Sequence, residues 1–452
     1  MHANAENSRL AAAAATSRKA QQQNEVEVLV DLYPFIRKYK DGRVERFVSS
    51  PFVPADEHGR VATRDIVVDQ GSGVSVRLFL PSGAGAAVDS GTGEACRTRL
   101  PLVVYFHGGS FCSESAFSRT YNRYASSLAS NAGALVVSVE YRLAPEFPIP
   151  AAYDDAWTAF QWVQMQLQQV PSSLSFSADP WIADYADPTR TFLAGDSAGG
   201  NIAYHTAVRC CHHHHNLEIE GLIMVQPYFW GSDGRLPSET DDPVPAGSLF
   251  MPAYGVDRLW PFVTNGMAGN DDPRINPPVD EILSLSLTCR RVLMAVAEKD
   301  TLRDRGLRLA ERMAPLTDMA VVKSEGEEHG FHLYNPLRAT SKKLMKSIVQ
   351  FIGNKPSPAP LAVAPSLVLG APTRPFKDVF GYGMAMKRWT PPDARPNHII
   401  TALRTNNALK SGTNKIKSYR LFSGPLLPRK HQFSEAVVPW AWNSLIKKYG
   451  NF

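Results

Sequence analysis

Through residue 354, short apolar runs alternate with longer stretches of mixed polarity. The runs are "PLVVYF" (101–106), "GALVVSVEY" (133–141), "TFLAG" (191–195), "GLIMVQPYF" (221–229), "RVLMAVAE" (291–298) and "AVVKSE" (320–325). They are short and rich in valine and other residues that fit a pleated surface, so they predict buried strands. Residues 117–130, 153–169, 198–209 and 303–313 between them read as helices, and "KKLMKSIVQFI" (342–352) as a closing helix. Continuous apolar strands alternating with helices predict an α/β fold: a mostly parallel sheet covered on both faces. Upstream, "RVERFV", "RDIVVDQ" and "VSVRLFLP" have strand composition, and "SGAGAAVDSGTGEACRTR" (82–99) reads as a surface loop.

The pattern stops after Asn354, where "KPSPAPLAVAPSLVLGAPTRP" reads as a proline-rich linker. This divides the chain into a disordered tail (1–26), one domain (27–354) and a largely disordered extension (355–452). Charge divides it the same way. The extension carries 15 Lys+Arg against 3 Asp+Glu, leaving 33 against 40 in the rest. The net charge of +5 therefore hides a mildly acidic body. The extension's basic residues are dispersed among Pro, Asn and Thr without a nucleic-acid motif, so no nucleic-acid partner is expected. No stretch approaches the ~18 apolar residues of a membrane helix. Five scattered cysteines favour a reducing compartment. The five-alanine run between Arg9 and Arg18 is too weak for a secretory signal. A transit peptide stays open, but the expectation is a cytoplasmic protein, with the nucleus also allowed and secretion excluded. Nothing fixes the oligomeric state.

The sharpest chemical signal is "FLAGDSAGGN" (192–201), in which Gly195–Gly199 fits G-x-S-x-G between a predicted strand and a predicted helix. A tight strand-to-helix turn lifts Ser197 above the sheet edge as a nucleophile. Glycines are needed where the backbone folds on itself. "YFHGGSFC" (105–112) also follows a strand. Its glycines can turn N–H groups into a site, so Gly108 and Gly109, joined by Ala198, are the candidate oxyanion donors. A nucleophilic serine needs a base and an orienting acid, in the chain order Ser, acid, His on such a sheet. Asp300 and His329 each follow a predicted strand and meet that order. The competing acids fall elsewhere: Glu298 inside its strand, Asp304 in the first turn of a helix, Glu327 and Glu328 in a solvated loop. His332 reads as a packed or surface residue. "CCHHHHN" (210–216) reads as a solvated loop, because consecutive histidines cannot all face one ion. No metal or cofactor is expected. Cys112 is either packed or open to thiol reagents.

"HGG", "YRLAPE" (141–146), "GDSAGG", "EKDTLRDRG" and "EGEEHGFHLYNP", with phrases such as "FCSESAFS", "YDDAW", "PYFWGS" and "DDPRINP", closely resemble the plant carboxylesterases of the hormone-sensitive-lipase-like branch of α/β-hydrolases. The resemblance runs from about residue 27 to 354. It implies an α/β-hydrolase fold, a Ser197–His329–Asp300 triad, an acyl-enzyme and a small ester substrate. It also implies a lid from about residues 27–60, with Phe35, Ile36, Ser110 and Phe111 as candidate substrate-binding residues. Gibberellin receptors share the scaffold and the "HGGSF" spelling but lack the histidine base, whereas His329 is present here. Isoflavanone dehydratases carry threonine at the nucleophile, where this chain has Ser197. A metabolite receptor, dehydratase or acyltransferase is the alternative.

Overall fold

The computed structural model describes residues 27–354 except 85–86, 89–94, 97–98, 169–177, 213–218, 243–250 and 286–288. The expectations for residues 1–26 and 355–452, and for most of the histidine tract, lie outside the described residues.

The apolar runs form strands whose alternate side chains feed two cores. The strands are β1 (Val28–Leu32), β2 (Ile36–Tyr39), β3 (Val44–Arg46), β4 (Val61–Val67), β5 (Ser75–Pro81), β6 (Ala87–Val88), β7 (Ala95–Cys96), β8 (Leu100–Phe106), β9 (Leu135–Glu140), β10 (Ala186–Asp196), β11 (Ile219–Val225), β12 (Cys289–Ala297) and β13 (Asp318–Ser324). The helices are α1 (Arg119–Ala132), α2 (Ala151–Gln168), α3 (Pro180–Tyr185), α4 (Ala198–His212), α5 (Ala253–Val263), α6 (Val279–Leu285), α7 (Arg303–Met313), α8 (Phe331–Tyr334) and α9 (Ala339–Gly353).

Eight strands form one sheet in the order β13-β12-β11-β10-β8-β9-β5-β4. From β13 to β9 neighbours are parallel; β5 joins β9, and β4 joins β5, antiparallel. Leu102, Val104 and Phe106 of β8 point into the core beneath α2, α4, α5 and α7. Val103 and Tyr105 point into the core beneath α1, α8 and α9. Burying one such Val, Leu or Phe is worth about 1.5–3 kcal/mol, so the two cores dominate the fold's stability. The sequence missed α3, α5, α6 and α8. Helix α5 contains Pro261, and prolines usually mark helix ends.

Parallel register lines up the strand ends. Gly195 pairs with Phe106 on one side and Met224 on the other, and Ala297 pairs with Ser324. The loops after β8, β10, β11, β12 and β13 therefore leave from one edge. A three-stranded antiparallel sheet, β1-β2-β3, precedes them in the chain. Arg46 anchors it: Nε donates to Cys112 O at 2.6 Å, and the guanidinium pairs with Glu146.

Candidate active site

The chain reverses between β10 and α4 at Ser197, whose φ of 52° is rare for a side-chain-bearing residue. The turn leaves no room for neighbouring side chains. A Cβ at Gly195 would lie 2.2 Å from Gly199 O, and one at Gly199 would lie 2.0 Å from Phe106 O. Hydrogen bonds hold the strained residue: Ser197 N donates to Val225 O at 2.9 Å, and Tyr228 N donates to Ser197 O at 2.8 Å.

Asp300, 2% exposed, lies just beyond β12. Its Oδ1 accepts from the Leu302 N–H at 2.9 Å and its Oδ2 is 2.8 Å from His329 Nδ1. His329 Nε2 lies 3.0 Å from Ser197 Oγ. With Nδ1–H donating to the carboxylate, Nε2 is left as the acceptor facing the serine. Burial works against a charged imidazole, but the charge and hydrogen bond of Asp300 outweigh it, so the pKa of His329 is raised above 6.5.

Gln226 escaped the sequence reading. It follows β11 with φ 48°, and its side chain brackets the histidine. Nε2 donates to Glu328 O at 3.2 Å, and Oε1 accepts from the Gly330 N–H at 2.8 Å. A polar residue inside an apolar run was the one available signal. The same loop corrects two expectations. Glu327 is buried, not solvated, accepting from Arg338 and Thr340. Glu298 lies past the end of β12 and accepts from the Gly326 N–H at 2.6 Å. Asp304 stands in the first turn of α7 as expected. His332 is buried against Tyr124 and Phe331, where burial and then His329 push its pKa down to about 3. It is neutral and far from a useful proton donor.

The oxyanion loop differs from expectation at one residue. Gly108 N–H donates inward to Tyr121 Oη at 2.9 Å and Asp196 Oδ1 at 3.1 Å, so it is not a free donor. The N–H groups of Gly109, Ser110 and Ala198 have no acceptor among the described residues. Gly109 has φ 105°, and a Cβ there would lie 2.2 Å from Ser113 O. The loop closes on itself through Cys112 N and Ser113 N, which both donate to Gly109 O.

A cleft of about 340 Å³, including its open mouth, contains Ser197, Asp300 and His329. Phe35, Ser110, Tyr228, Met251, Val256 and Leu259 are prominent in its walls. Of the residues expected there, Phe35 and Ser110 line it; Ile36 and Phe111 do not. Ile36 is fully buried in β2, and Phe111 is wedged edge-on against Tyr153, Tyr228 and Trp260. Cys112 is buried and its thiol pushed up to about 12, which makes it a packing residue. Among the described residues, no cluster of His, Cys, Asp and Glu could hold a metal ion, and no helix is long and apolar enough to cross a membrane.

Residues 103–333 match the family model described as "alpha/beta hydrolase fold". Several plant proteins are similar over nearly three quarters of this chain. A 2-hydroxyisoflavanone dehydratase of Glycyrrhiza echinata is 39% identical over 72% of this chain and 96% of its own. A probable mitochondrial carboxylesterase 4 of Arabidopsis thaliana is 37% identical, over 72% and 84%. The chloroplastic tuliposide A-converting enzyme 1 of Tulipa gesneriana is 38% identical, over 72% and 78%. Among solved structures, a Pyrobaculum calidifontis esterase superposes with a TM-score of 0.51 at 26% identity, covering 66% of this chain and 85% of its own. Two of these relatives correct the expected cytoplasmic location, since the names of the carboxylesterase and of the tuliposide A-converting enzyme place them in mitochondria and chloroplasts. An organelle address lies in a short leader rather than in the folded body, where the sequence arguments were strongest. The fold, the relatives and a serine at the elbow identify the chain as a member of the plant carboxylesterases of the α/β-hydrolase family, serine hydrolases of small carboxylic esters.

Proposed function

We propose that Ser197, His329 and Asp300 are the catalytic triad of this esterase. His329 Nε2 takes the proton of Ser197 Oγ as the oxygen attacks the ester carbonyl. The tetrahedral oxyanion is held by the N–H groups of Gly109, Ser110 and Ala198, aided by the positive end of α4. His329 then gives its proton to the departing alcohol, leaving an acyl-Ser197. Water repeats the sequence in reverse and releases the acid. Asp300 keeps Nδ1 protonated and stabilises the imidazolium. The observation that carries this reading is the continuous chain from Ser197 Oγ to Nε2 at 3.0 Å and from Nδ1 to Asp300 at 2.8 Å.

Turnover of p-nitrophenyl acetate and butyrate by wild type, Ser197→Ala and His329→Ala tests it. The variants should fall at least about 10³-fold; a wild type no faster than the variants rejects the triad. The dehydratase relative keeps a second reading in view. Loss of water from a 2-hydroxyisoflavanone with no ester turnover would support it.

Residues 27–60 act as the lid, with Phe35 reaching the cleft. Residues 27–354 are the whole catalytic unit, so a chain ending at Asn354 should keep its kcat/KM. Small esters are the substrates this cleft suits.

A further inference from the structure

The cleft wall is mostly apolar, built from Phe35, Met251, Val256, Leu259 and Leu302. Tyr228 breaks the pattern. It lines the same cleft as Ser197, is 2% exposed, and its hydroxyl has no protein partner among the described residues. The ring is held in place by its neighbours. It stacks on Trp260 at 6.2 Å and meets Phe111 edge-on at 5.6 Å. Its backbone is fixed at both ends: N–H donates to Ser197 O, and O accepts from Asn201 Nδ2 at 3.0 Å. Burial raises the phenol's pKa above its ordinary value, with the Asp257 charge adding to the effect, so it stays a neutral donor.

A buried hydroxyl without a partner is costly, and evolution of a simple alkyl-ester pocket would place phenylalanine there as readily. Pockets for small molecules combine apolar walls with a few placed polar groups that select one substrate. Ser110, 4% exposed, adds a second hydroxyl to the same cleft.

We propose that Tyr228 is a specificity-determining residue that donates a hydrogen bond to an oxygen of the substrate beyond the scissile ester, so that the preferred substrates are oxygenated esters, carrying an ether, hydroxyl or carbonyl oxygen, over plain alkyl esters. This rests on the triad reading above, because it places the oxygen in the cleft that holds Ser197.

The test compares isosteric pairs in which one methylene is exchanged for oxygen. On the acyl side the pair is p-nitrophenyl methoxyacetate and p-nitrophenyl butyrate. On the alcohol side it is 2-methoxyethyl butyrate and butyl butyrate. The readout is the ratio of kcat/KM within each pair, for wild type and for Tyr228→Phe. Intrinsic reactivity cancels when the two enzymes are compared. The variant should lower the ratio about tenfold in at least one pair, the size of one neutral hydrogen bond. A ratio within twofold of wild type in both pairs overturns the proposal, including the case where all activities fall together, as a purely structural role would produce. Thermal unfolding supplies an independent reading. Tyr228→Phe should melt no lower than wild type, because it removes an unpartnered hydroxyl; a clear loss of Tm would show that the hydroxyl is already bonded in the free protein, and would also overturn it. A wild type that turns over neither pair rejects the triad reading, and this one with it.

Discussion

The backbone N–H of Gly108 is hydrogen-bonded to the carboxylate of Asp196, the residue before the nucleophile. Asp196 also accepts from Tyr105 Oη at 2.6 Å and Tyr121 Oη at 2.9 Å. One buried carboxylate thus ties the oxyanion loop to the elbow. Burial raises its pKa, against the pull of these donors. Asp196→Asn turns an NH₂ toward groups that themselves donate. Leaving one or two of them unpaired should cost about 1–3 kcal/mol each. Thermal unfolding should show that loss, and kcat should fall while KM changes less, because the loop proposed to hold the oxyanion is released.

Ser197 should show a conflict between activity and stability. Its φ of 52° costs on the order of 1–3 kcal/mol in a side-chain-bearing residue. Ser197→Ala keeps that strain and Ser197→Gly relieves it. Both should be inactive, but the glycine variant should melt at or above the alanine variant, despite glycine's greater freedom when unfolded. A glycine variant that melts well below alanine would mean the turn is not strained.

The rate should follow the neutral form of His329. Its pKa is raised, so protonated imidazole persists above pH 6.5, and kcat/KM should climb with pH through a midpoint above that value before levelling. Asp300→Asn removes the charge that raises it. The midpoint should then move down, and kcat should drop by roughly 10⁴, since the amide no longer selects the right tautomer. A pH–rate profile on p-nitrophenyl butyrate reads both effects.

Gln226 touches no reacting atom in this geometry, yet it holds the residues on either side of the base. Gln226→Ala should lower kcat by about 10- to 100-fold with little change in KM, on the argument that a 1 Å misplacement can cost 10². Gln226→Glu keeps the acceptor for Gly330 and loses the donor to Glu328, so it should fall between the two. Equal losses in both variants would assign the effect to the fold rather than to positioning.

The inner parallel strands were legible because they are buried on both faces, so composition marks them; β13, expected to be buried, lies at the border of the sheet with only Ser324 buried. The early start of β10 at Ala186 was not legible, since "ADPTR" is polar and joins the sheet through Leu100. The meeting of Ser197, Asp300 and His329 was readable because each stands just after an apolar run. Which glycine faces the site was not readable, because the direction of Gly108 N–H depends on Asp196 and Tyr121 arriving from elsewhere in the chain. Gln226 was hidden for the same reason: its partners follow a different strand, about a hundred residues on. Ile36 and Phe111 look like pocket residues by type, and only packing shows that they serve the core.

The three members of the proposed triad do not share one fate. Ser197 follows β10 in the middle of the sheet, whereas His329 follows β13, which among the described residues has a strand partner on one side only. Outer strands open at lower free energy than central ones. A loosening of that border would carry off the base while the elbow stayed intact. The enzyme would fall silent before it unfolded, so loss of turnover is an early warning of damage to the molecule, and recovered turnover certifies that its last strand has returned.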